Sequence, residues 1–536
     1  MFVAGPALGR PADDSDLLKA YARARIAESD GAPAIATEGY SRLLAADPAN
    51  TILASKTYFH ALTAGERDVA VGAATTLYQA GVKDPDIRLL LLAEALRKGD
   101  RRGALELSQA LGTDEIFAFM RPIIDAWITV DSGKGDPMTF LAEAEANALA
   151  VSYAAEQRPL LLLASGRFAE GISAFEPIGS DLRGQRLRVA GASLLSRKGR
   201  RQDALTLVQG DGAVLASARS LIERRKRIPG EIRTASAGIA ELITRLGGEL
   251  HRQKVTDLAL RFSAVATMMD PQSAEAWIIH AELLAANDSG AEALKALARV
   301  PQDDPLHWAA GDIRVRLLAE AQEHERALSE AMAAAAAGEG AGSWINVGNL
   351  LMEMERPEEA AEAFGKALAL WPGDATNPPW MLHLMRASAF MDSKSWPDAK
   401  QELLAAHRLA PEEATVLNHL GYAMLENGED IPQAIEMIAK ASQLEPESNQ
   451  ITDSLGWGYL MSGDTAKAIE LLERAAAGEP GDTEINEHLG DAYYRAGRRF
   501  EARYAWRAAL IQAEGEDAER LAGKIDAGLD TGSVPR

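Results

Sequence analysis

The chain of 536 residues contains no cysteine. This absence excludes disulfide bonds, thiolate metal sites, catalysis by a cysteine nucleophile and lipid attachment to a cysteine within this sequence. Aromatic residues make up only 6% of the chain, whereas hydrophobic residues make up 47%. Such a composition favours many helices packed through small side chains, so an all-α fold is the first expectation.

Positive charge is also scarce. Lys and Arg total 56 against 78 Asp and Glu, which gives a formal net charge of −22. Nucleic acids and anionic membranes attract positive surfaces, so we expect neither as a general partner. The densest apolar run, "LLLLAEAL" at residues 89–96, is interrupted by Glu94. It is far shorter than the roughly 20 residues of a membrane helix, and we expect no membrane span.

The N-terminal stretch "MFVAGPALGRPADD" has an apolar patch and small residues but no basic segment before them. It is either a disordered N-terminus or the remnant of a signal peptide whose start lies upstream. The compartment is therefore left open. A chain of this length is too long for one ordinary core and predicts several domains or an extended repeat array.

A fixed spacing of small, apolar and proline residues recurs along the chain. Gly456 is followed at offsets of 7, 12, 16, 19 and 24 residues by Gly463, Ala468, Leu472, Ala475 and Pro480. The series starts again 34 residues later at Gly490, and it starts earlier at Gly421, Gly348, Ala281 and Gly247. Small residues at these positions let two helices approach closely, and proline ends the second helix.

These residues resemble the tetratricopeptide repeat (TPR), a helical hairpin with a tryptophan, a leucine-glycine pair, a tyrosine, an alanine, an aromatic residue and a proline. The resemblance is strongest over residues 240–516 and degraded before residue 210. It implies an α-solenoid of about twelve to thirteen helix-turn-helix units, each stacked on its neighbours.

The pattern divides the chain into six segments. The basic stretch "ERRKRIPGEIRTASAG" fits no repeat position and predicts a junction between two blocks. The segments are a disordered N-terminus (1–16), degenerate repeats (17–208), the junction (209–239), further repeats (240–340), well-matched repeats with a binding groove (341–516), and a capping helix with a disordered tail (517–536).

No catalytic constellation stands out. "DSGKGD" at residues 131–136 lacks the leading glycine and the hydroxyl residue of a phosphate-binding loop, and neither H-E-x-x-H nor G-x-S-x-G occurs. We therefore predict no enzyme, no cofactor and no metal site. TPR arrays are sometimes fused to catalytic domains, and a pocket of convergent acids or histidines within residues 1–210 would favour that alternative.

Helical geometry separates the packing face of each first helix from a neighbouring stripe. At about 100° per residue, offsets of −6, −3, +1, +4 and +5 from the repeat glycine share one direction, which we call the first-helix stripe. The resemblance implies that this stripe faces the concave groove. Trp457 follows Gly456 directly and lies on it. We predict as groove residues Asn349, Met352, Asn418, Tyr422, Asp453, Trp457, Glu487, Asp491, Tyr494 and Arg495.

Aromatic and methionine side chains suit varied apolar partners, and acids select basic ones. The sequence therefore predicts a scaffold that binds a partner protein or extended peptide with basic and apolar side chains. The oligomeric state is left open. A carboxylate clamp is disfavoured because no lysine accompanies Asn349 and Asn418 on the stripe.

The C-terminal repeats look like those of bacterial TPR proteins, many of them exported or envelope-associated. The resemblance allows an adaptor of a periplasmic protease or of envelope assembly machinery as an alternative function. Export would place the chain in the periplasm or at the envelope, and otherwise it would be cytoplasmic.

Overall fold

The computed structural model describes residues 14–114, 116–210, 212–337, 340–371 and 379–529. These residues form thirty α-helices and one short 3₁₀ helix, and they contain no strand. The predicted all-α solenoid class is confirmed. None of the helices in the described ranges combines the length and apolarity needed to cross a lipid bilayer.

The first eighteen helices are α1 Asp14–Ser29, α2 Pro33–Ala46, α3 Thr51–Thr63, α4 Arg67–Gln79, α5 Pro85–Lys98, α6 Arg101–Leu111, α7 Arg121–Ser132, α8 Pro137–Glu145, α9 Val151–Ala164, α10 Phe168–Ser173, α11 Leu182–Arg197, α12 Arg201–Leu207, α13 Ala213–Glu223, α14 Ala235–Arg252, α15 Thr256–Met269, α16 Ala274–Ala285, α17 Gly290–Leu297 and α18 His307–Glu320.

The remaining twelve are α19 His324–Ala336, α20 Ala341–Glu353, α21 Pro357–Leu370, α22 Trp380–Asp392, α23 Trp396–Leu409, α24 Ala414–Glu426, α25 Ile431–Leu444, α26 Asn449–Met461, α27 Thr465–Gly478, α28 Thr483–Arg495, α29 Arg499–Leu510 and α30 Gly515–Ala527.

The chain forms two compact units, Met1–Ala327 and Leu328–Arg536, and the boundary falls within α19. Residues 209–239, predicted from the sequence as the junction, lie inside unit 1. They include α13, and Ile228 and Ile232 beside the basic run are buried. Ser193 also donates a hydrogen bond of 2.7 Å to the Ile228 carbonyl. The basic run is therefore followed directly by a packed segment of unit 1.

Unit 1 consists of stacked hairpins. Consecutive helices pack together as α1/α2, α3/α4, α5/α6, α7/α8, α9/α10, α11/α12, α14/α15 and α16/α17. One hydrophobic core runs from Ala54 to Leu317, with Trp127 and Phe262 among its largest fully buried side chains. Each hairpin thus buries its faces against the next, as a repeat array requires.

Unit 2 contains the hairpins α20/α21, α22/α23, α24/α25, α26/α27 and α28/α29, followed by α30. A Cβ built at Gly456 would lie 2.7 Å from the Leu472 side chain, and one at Gly490 would lie 2.3 Å from the Trp506 ring. These distances are too short for any side chain, so the repeat glycines mark close contacts between paired helices.

First helices of successive hairpins also touch each other. Contacts join α22 to α24, α24 to α26 and α26 to α28. Ser448 and Asp482 fix the starts of α26 and α28 by accepting hydrogen bonds from the Ile451 and Ile485 amides at 3.3 and 2.9 Å. This side-by-side packing places the first-helix stripe of each hairpin against its neighbour.

The two predicted terminal segments are described only in part. Residues 1–13 and 530–536 lie outside the described ranges, and so do the disordered ends predicted there. Helix α30 begins at Gly515 and packs on α29, with Leu521 fully buried beside Trp506.

Candidate functional site

Trp457 on α26 is buried, with only 3% of its surface exposed. Its indole N–H donates a hydrogen bond of 2.9 Å to Glu426 of α24. Its ring stacks on that of His488 from α28, with 4.1 Å between centroids and 17° between planes. The prediction that Trp457 faces an open groove is therefore wrong, because the neighbouring first helices cover it.

Asp453, one helical turn before Trp457, is likewise only 4% exposed. Its Oδ2 lies 2.8 Å from His488 Nδ1. Burial lowers the pKa of His488, but the carboxylates of Asp453, Glu484 and Asp491 raise it, and the net shift is upward. Asp453 thus holds a histidine of its own chain, which corrects the prediction that it awaits a basic partner residue.

Glu487 and Asp491 on α28 are also buried, and α30 supplies their cations. Lys524 Nζ lies 2.5 Å from Glu487 and 2.8 Å from Asp491, and Arg520 also contacts Glu487. Burial lowers the pKa of Lys524 although Asp491 opposes that shift. These two acids were predicted to face a partner, and the structure corrects this because α30 occupies their side of the helix.

The other predicted residues keep some exposed surface. Asn349 and Arg495 are exposed, and Met352, Asn418, Tyr422 and Tyr494 are partly buried. The Tyr422 hydroxyl donates to Glu484, whereas Asn418 Oδ1 is buried without a hydrogen-bond partner in the described residues. For these six residues, partner binding stays a prediction.

Unit 1 contains a cavity of about 510 Å³ beside the first helices of its later hairpins. Helices α9, α11, α14, α16 and α18 contribute its walls. The volume lies within the range of ligand sites in proteins, roughly 300–1,000 Å³. The lining residues are Glu156, Leu182, Arg183, Arg186, Thr244, Arg245, Gly248, Glu249, Arg252, Glu275, Ile278, Ile279, Glu282, Leu306, Ala309 and Ile313.

One side of the cavity is apolar. Ile278 and Ile279 come from α16, Ala309 and Ile313 come from α18, and Leu182 comes from the start of α11. Leu182 is 51% exposed, so this surface is open to solvent at one edge. Aliphatic side chains of this kind favour an apolar group, because its burial removes hydrocarbon surface from water.

The charged part of the lining is fixed by ion pairs. Arg183 contacts Glu156 at 2.7 Å, Glu241 at 2.5 Å and Glu275 at 3.4 Å. Arg245 contacts Glu156 at 3.2 Å and lies over the Tyr153 ring, 4.0 Å from its centroid. This wall is therefore held in place before any ligand binds, and ordering it costs a ligand little free energy.

Two charged residues of the cavity differ from the others. Glu282 is partly buried and burial raises its pKa, while Arg252 is exposed. Neither side chain forms an ion pair or hydrogen bond within the described ranges. These two groups are free to pair with a ligand that carries charges of both signs.

Sequence reasoning missed this cavity although the same offsets find it. Counted from Gly247, the stripe positions −3, +1 and +5 are Thr244, Gly248 and Arg252. Counted from Ala281, positions −6, −3 and +1 are Glu275, Ile278 and Glu282. All six line the cavity. The stripe offsets in residues 240–340 therefore indicate this cavity, whereas the predicted binding groove lies in residues 341–516.

Across the described residues, no group of three or more His, Asp or Glu side chains is placed to hold a metal ion. The cavity acids Glu156, Glu249 and Glu275 contact arginines. The site accordingly offers recognition surfaces of fixed charge.

Several solved structures are similar to this chain. A tetratricopeptide repeat protein from Parabacteroides merdae shares 12% identity, with a TM-score of 0.40 over 47% of this chain and 97% of its own. Yeast Tom70 shares 11% identity, with a TM-score of 0.36 over 96% of each chain. The Cut9–Hcn1 hetero-tetramer of the APC/C has a chain with 15% identity and a TM-score of 0.35 over 96% of this chain and 97% of its own.

No curated protein matches the chain in sequence. The family model described as "Tetratricopeptide repeat" matches residues 459–525. This range covers the end of α26, all of α27, α28 and α29, and most of α30, the helix that pairs with Glu487 and Asp491. Tetratricopeptide repeats are therefore identified in this chain at residues 459–525.

Proposed function

We propose that the chain is a non-enzymatic scaffold that binds a segment of a partner protein, with the unit 1 cavity as its principal site. The single observation that carries this proposal is the cavity itself, about 510 Å³ in volume and lined at repeat offsets by first-helix residues. A TPR fold suggests protein–protein interaction, and the cavity supplies a place for it.

The lining of the cavity defines the chemistry of the segment. An apolar side chain would lie on Ile278, Ile279 and Ile313. A lysine or arginine beside it would pair with Glu282, and an acidic group would pair with Arg252. The partner therefore carries apolar and basic side chains, as the stripe composition predicts, with an acidic group in addition.

The accessible side chains of unit 2 offer a second contact of the same kind. Asn349, Met352, Tyr422, Tyr494 and Arg495 can bind polar and apolar groups of an extended partner. We propose that these residues contact the partner after it has bound at the cavity of unit 1.

The enzyme alternative has little support from this site. Only Glu156 among the cavity acids comes from residues 1–210, and it lies between Arg183 and Arg245. Burial raises the pKa of Glu156, the two arginines oppose this shift, and the net shift is upward. A carboxylate held between two cations serves to fix the wall of a binding site.

Site-specific photo-crosslinking in cells tests the proposal. A benzophenone amino acid replaces Ile279 in the cavity, and a control chain carries it at the exposed Leu105. We expect a protein adduct from position 279 and none of the same mass from position 105. Mass spectrometry of the adduct then tests the finer prediction of a periplasmic protease or an envelope component.

A second variant shows whether the adduct reports the cavity. Gly248→Leu places a side chain in the cavity, where a Cβ would have no heavy atom closer than 4.0 Å. We expect this variant to fold normally and to lose the adduct. An adduct of unchanged yield in folded Gly248→Leu would contradict the proposal, as would the absence of any protein adduct.

A further inference from the structure

Three large hydrophobic side chains on one side of α29 are strongly exposed. Phe500 is 72% exposed, Tyr504 is 56% exposed, and Ile511 directly after the helix is 82% exposed. They are spaced by four and seven residues, which places them on one face of a helix. The Phe500 and Tyr504 rings contact edge to face, with 4.9 Å between centroids.

Two arginines lie on the same face. Arg507 is four residues before Ile511, and its guanidinium lies 5.9 Å from the Tyr504 ring centroid. It forms no ion pair within the described part of the chain. Arg503 is exposed and donates a hydrogen bond of 3.0 Å to the Ile525 carbonyl. We call Phe500, Arg503, Tyr504, Arg507 and Ile511 the α29 stripe.

The preceding hairpin shows that the repeat does not require these residues. Helix α27 carries exposed Ala466, Glu470, Glu473 and Ala477 at the positions of Phe500, Tyr504, Arg507 and Ile511, 34 residues earlier, and partly buried Ile469 at the position of Arg503. Helix α27 therefore forms without aromatic or basic side chains at these five positions. The α29 stripe carries aromatic, aliphatic and basic side chains there, in a chain whose net charge is −22.

We infer that the α29 stripe is a docking surface for an acidic amphipathic segment of a partner protein. Arginine, tyrosine and phenylalanine are the residues enriched where proteins bind one another. Both cations are arginines, whose planar fork pairs with two oxygens of a carboxylate. An adjoining row of apolar residues on the segment would cover Phe500 and Ile511.

This docking surface is independent of the proposed function. It shares no residue with the cavity of unit 1, and it lies on a second helix of a hairpin, whereas the cavity is lined by first helices. Loss of one site leaves the chemistry of the other unchanged.

Selection of displayed peptides tests the inference. The probe is a library of random peptides of about 16 residues, long enough to form a helix on binding. The full chain is compared with the triple variant Phe500→Ala, Tyr504→Glu and Arg507→Glu, which installs the residues that α27 carries. We expect the wild type to enrich peptides with acids and apolar residues at helical spacing, and the variant to bind them about tenfold more weakly.

Two further proteins keep the result interpretable. Arg507→Glu alone tests the charge if the triple variant unfolds by circular dichroism. The double variant Ile52→Ala, Arg102→Glu is the control, because it removes one exposed apolar residue and one exposed arginine from other helices. It should bind the selected peptides like the wild type.

Three outcomes would overturn the inference. The first is enrichment of peptides without an excess of acids, and the second is selected peptides that bind the variants as tightly as the wild type. The third is binding to vesicles with about 30% phosphatidylserine in place of any peptide, which would make a membrane surface the occupant.

Discussion

The +1 position of the repeat has opposite structural roles in the two units. In unit 2 it holds Trp457, which fills the contact between neighbouring first helices and is hydrogen-bonded to Glu426. In unit 1 it holds Gly248 and Glu282, and there a cavity of about 510 Å³ remains. The same repeat position is thus filled by a buried indole at Trp457 and lines an open cavity at Gly248 and Glu282.

The contrast also concerns charge. Unit 2 pairs its stripe acids with His488 and Lys524 of its own chain. Unit 1 pairs most of its stripe charges with arginines but leaves Glu282 and Arg252 free within the described ranges. Charges that are already paired stabilise the fold, and unpaired ones are available for binding.

The largest expected effect is that of Trp457→Ala. Truncating a buried tryptophan leaves a void and an unpaired Glu426, and we expect a loss of about 3–5 kcal/mol in the free energy of unfolding of unit 2. Urea unfolding followed by circular dichroism measures it. Tyr504→Ala, on the exposed α29 stripe, is the control and should change stability by under about 0.5 kcal/mol. A loss no larger than the control's would show that Trp457 is not core.

The pKa values of two buried histidines should be shifted in opposite directions. Burial lowers the pKa of His280 in unit 1 to about 4, whereas the carboxylates beside His488 raise the pKa of that residue. Between pH 6.5 and 4, His280 is protonated in the unfolded state but stays neutral in the folded state. Acidification over this range therefore lowers the free energy of unfolding of unit 1 by up to about 3 kcal/mol. His280→Gln should remove this loss in acid unfolding curves.

For His488 the sign is reversed. Its contribution to stability is fully present below the unfolded pKa and is lost as the pH rises through the raised folded value. NMR titration of the two imidazole rings checks both directions. Equal pKa values for His280 and His488 would contradict the assigned surroundings of both.

Lys524→Met tests whether the cations of α30 stabilise the buried acids of α28. The change leaves Glu487 with Arg520 alone and Asp491 without its cation, and both acids are buried. Since Lys524 keeps 18% exposure, we expect a loss of about 2 kcal/mol, less than for a fully buried pair. Lys524→Arg should retain most of that stability. Identical unfolding midpoints for Met and Arg variants would rule out a charge effect.

The smallest expected changes in stability are those of adding one methyl group at Gly248 or at Gly456. Gly248→Ala meets no heavy atom closer than 4.0 Å, and we expect a gain of about 0.5–1 kcal/mol from helix propensity. Gly456→Ala would meet the Leu472 side chain at 2.7 Å, so it should destabilise unit 2. Differential scanning calorimetry of both variants tests the opposite signs. A gain at both positions would mean that α26 and α27 are less tightly packed than described.

The hairpins could be predicted because close helix contacts leave small residues at fixed spacing, as at Gly456 and Gly490. The exposure of the first-helix stripe could not be predicted from the sequence. Whether Trp457 faces solvent depends on Glu426 and His488, which lie 31 residues before and after it and reach it only through helix packing. The cations of Glu487 and Asp491 come from α30, where no repeat position predicts them.

The links between first helices of unit 2 form a series. Glu426 binds Trp457, Asp453 binds His488, and Glu487 binds Lys524, so α24, α26, α28 and α30 are joined one to the next. A repeat array is stabilised by its intrinsic hairpins and by the coupling between neighbours. These bonds strengthen that coupling, and residues 414–527 should open as one foldon, with a common opening free energy for the slowest-exchanging amides of all four helices.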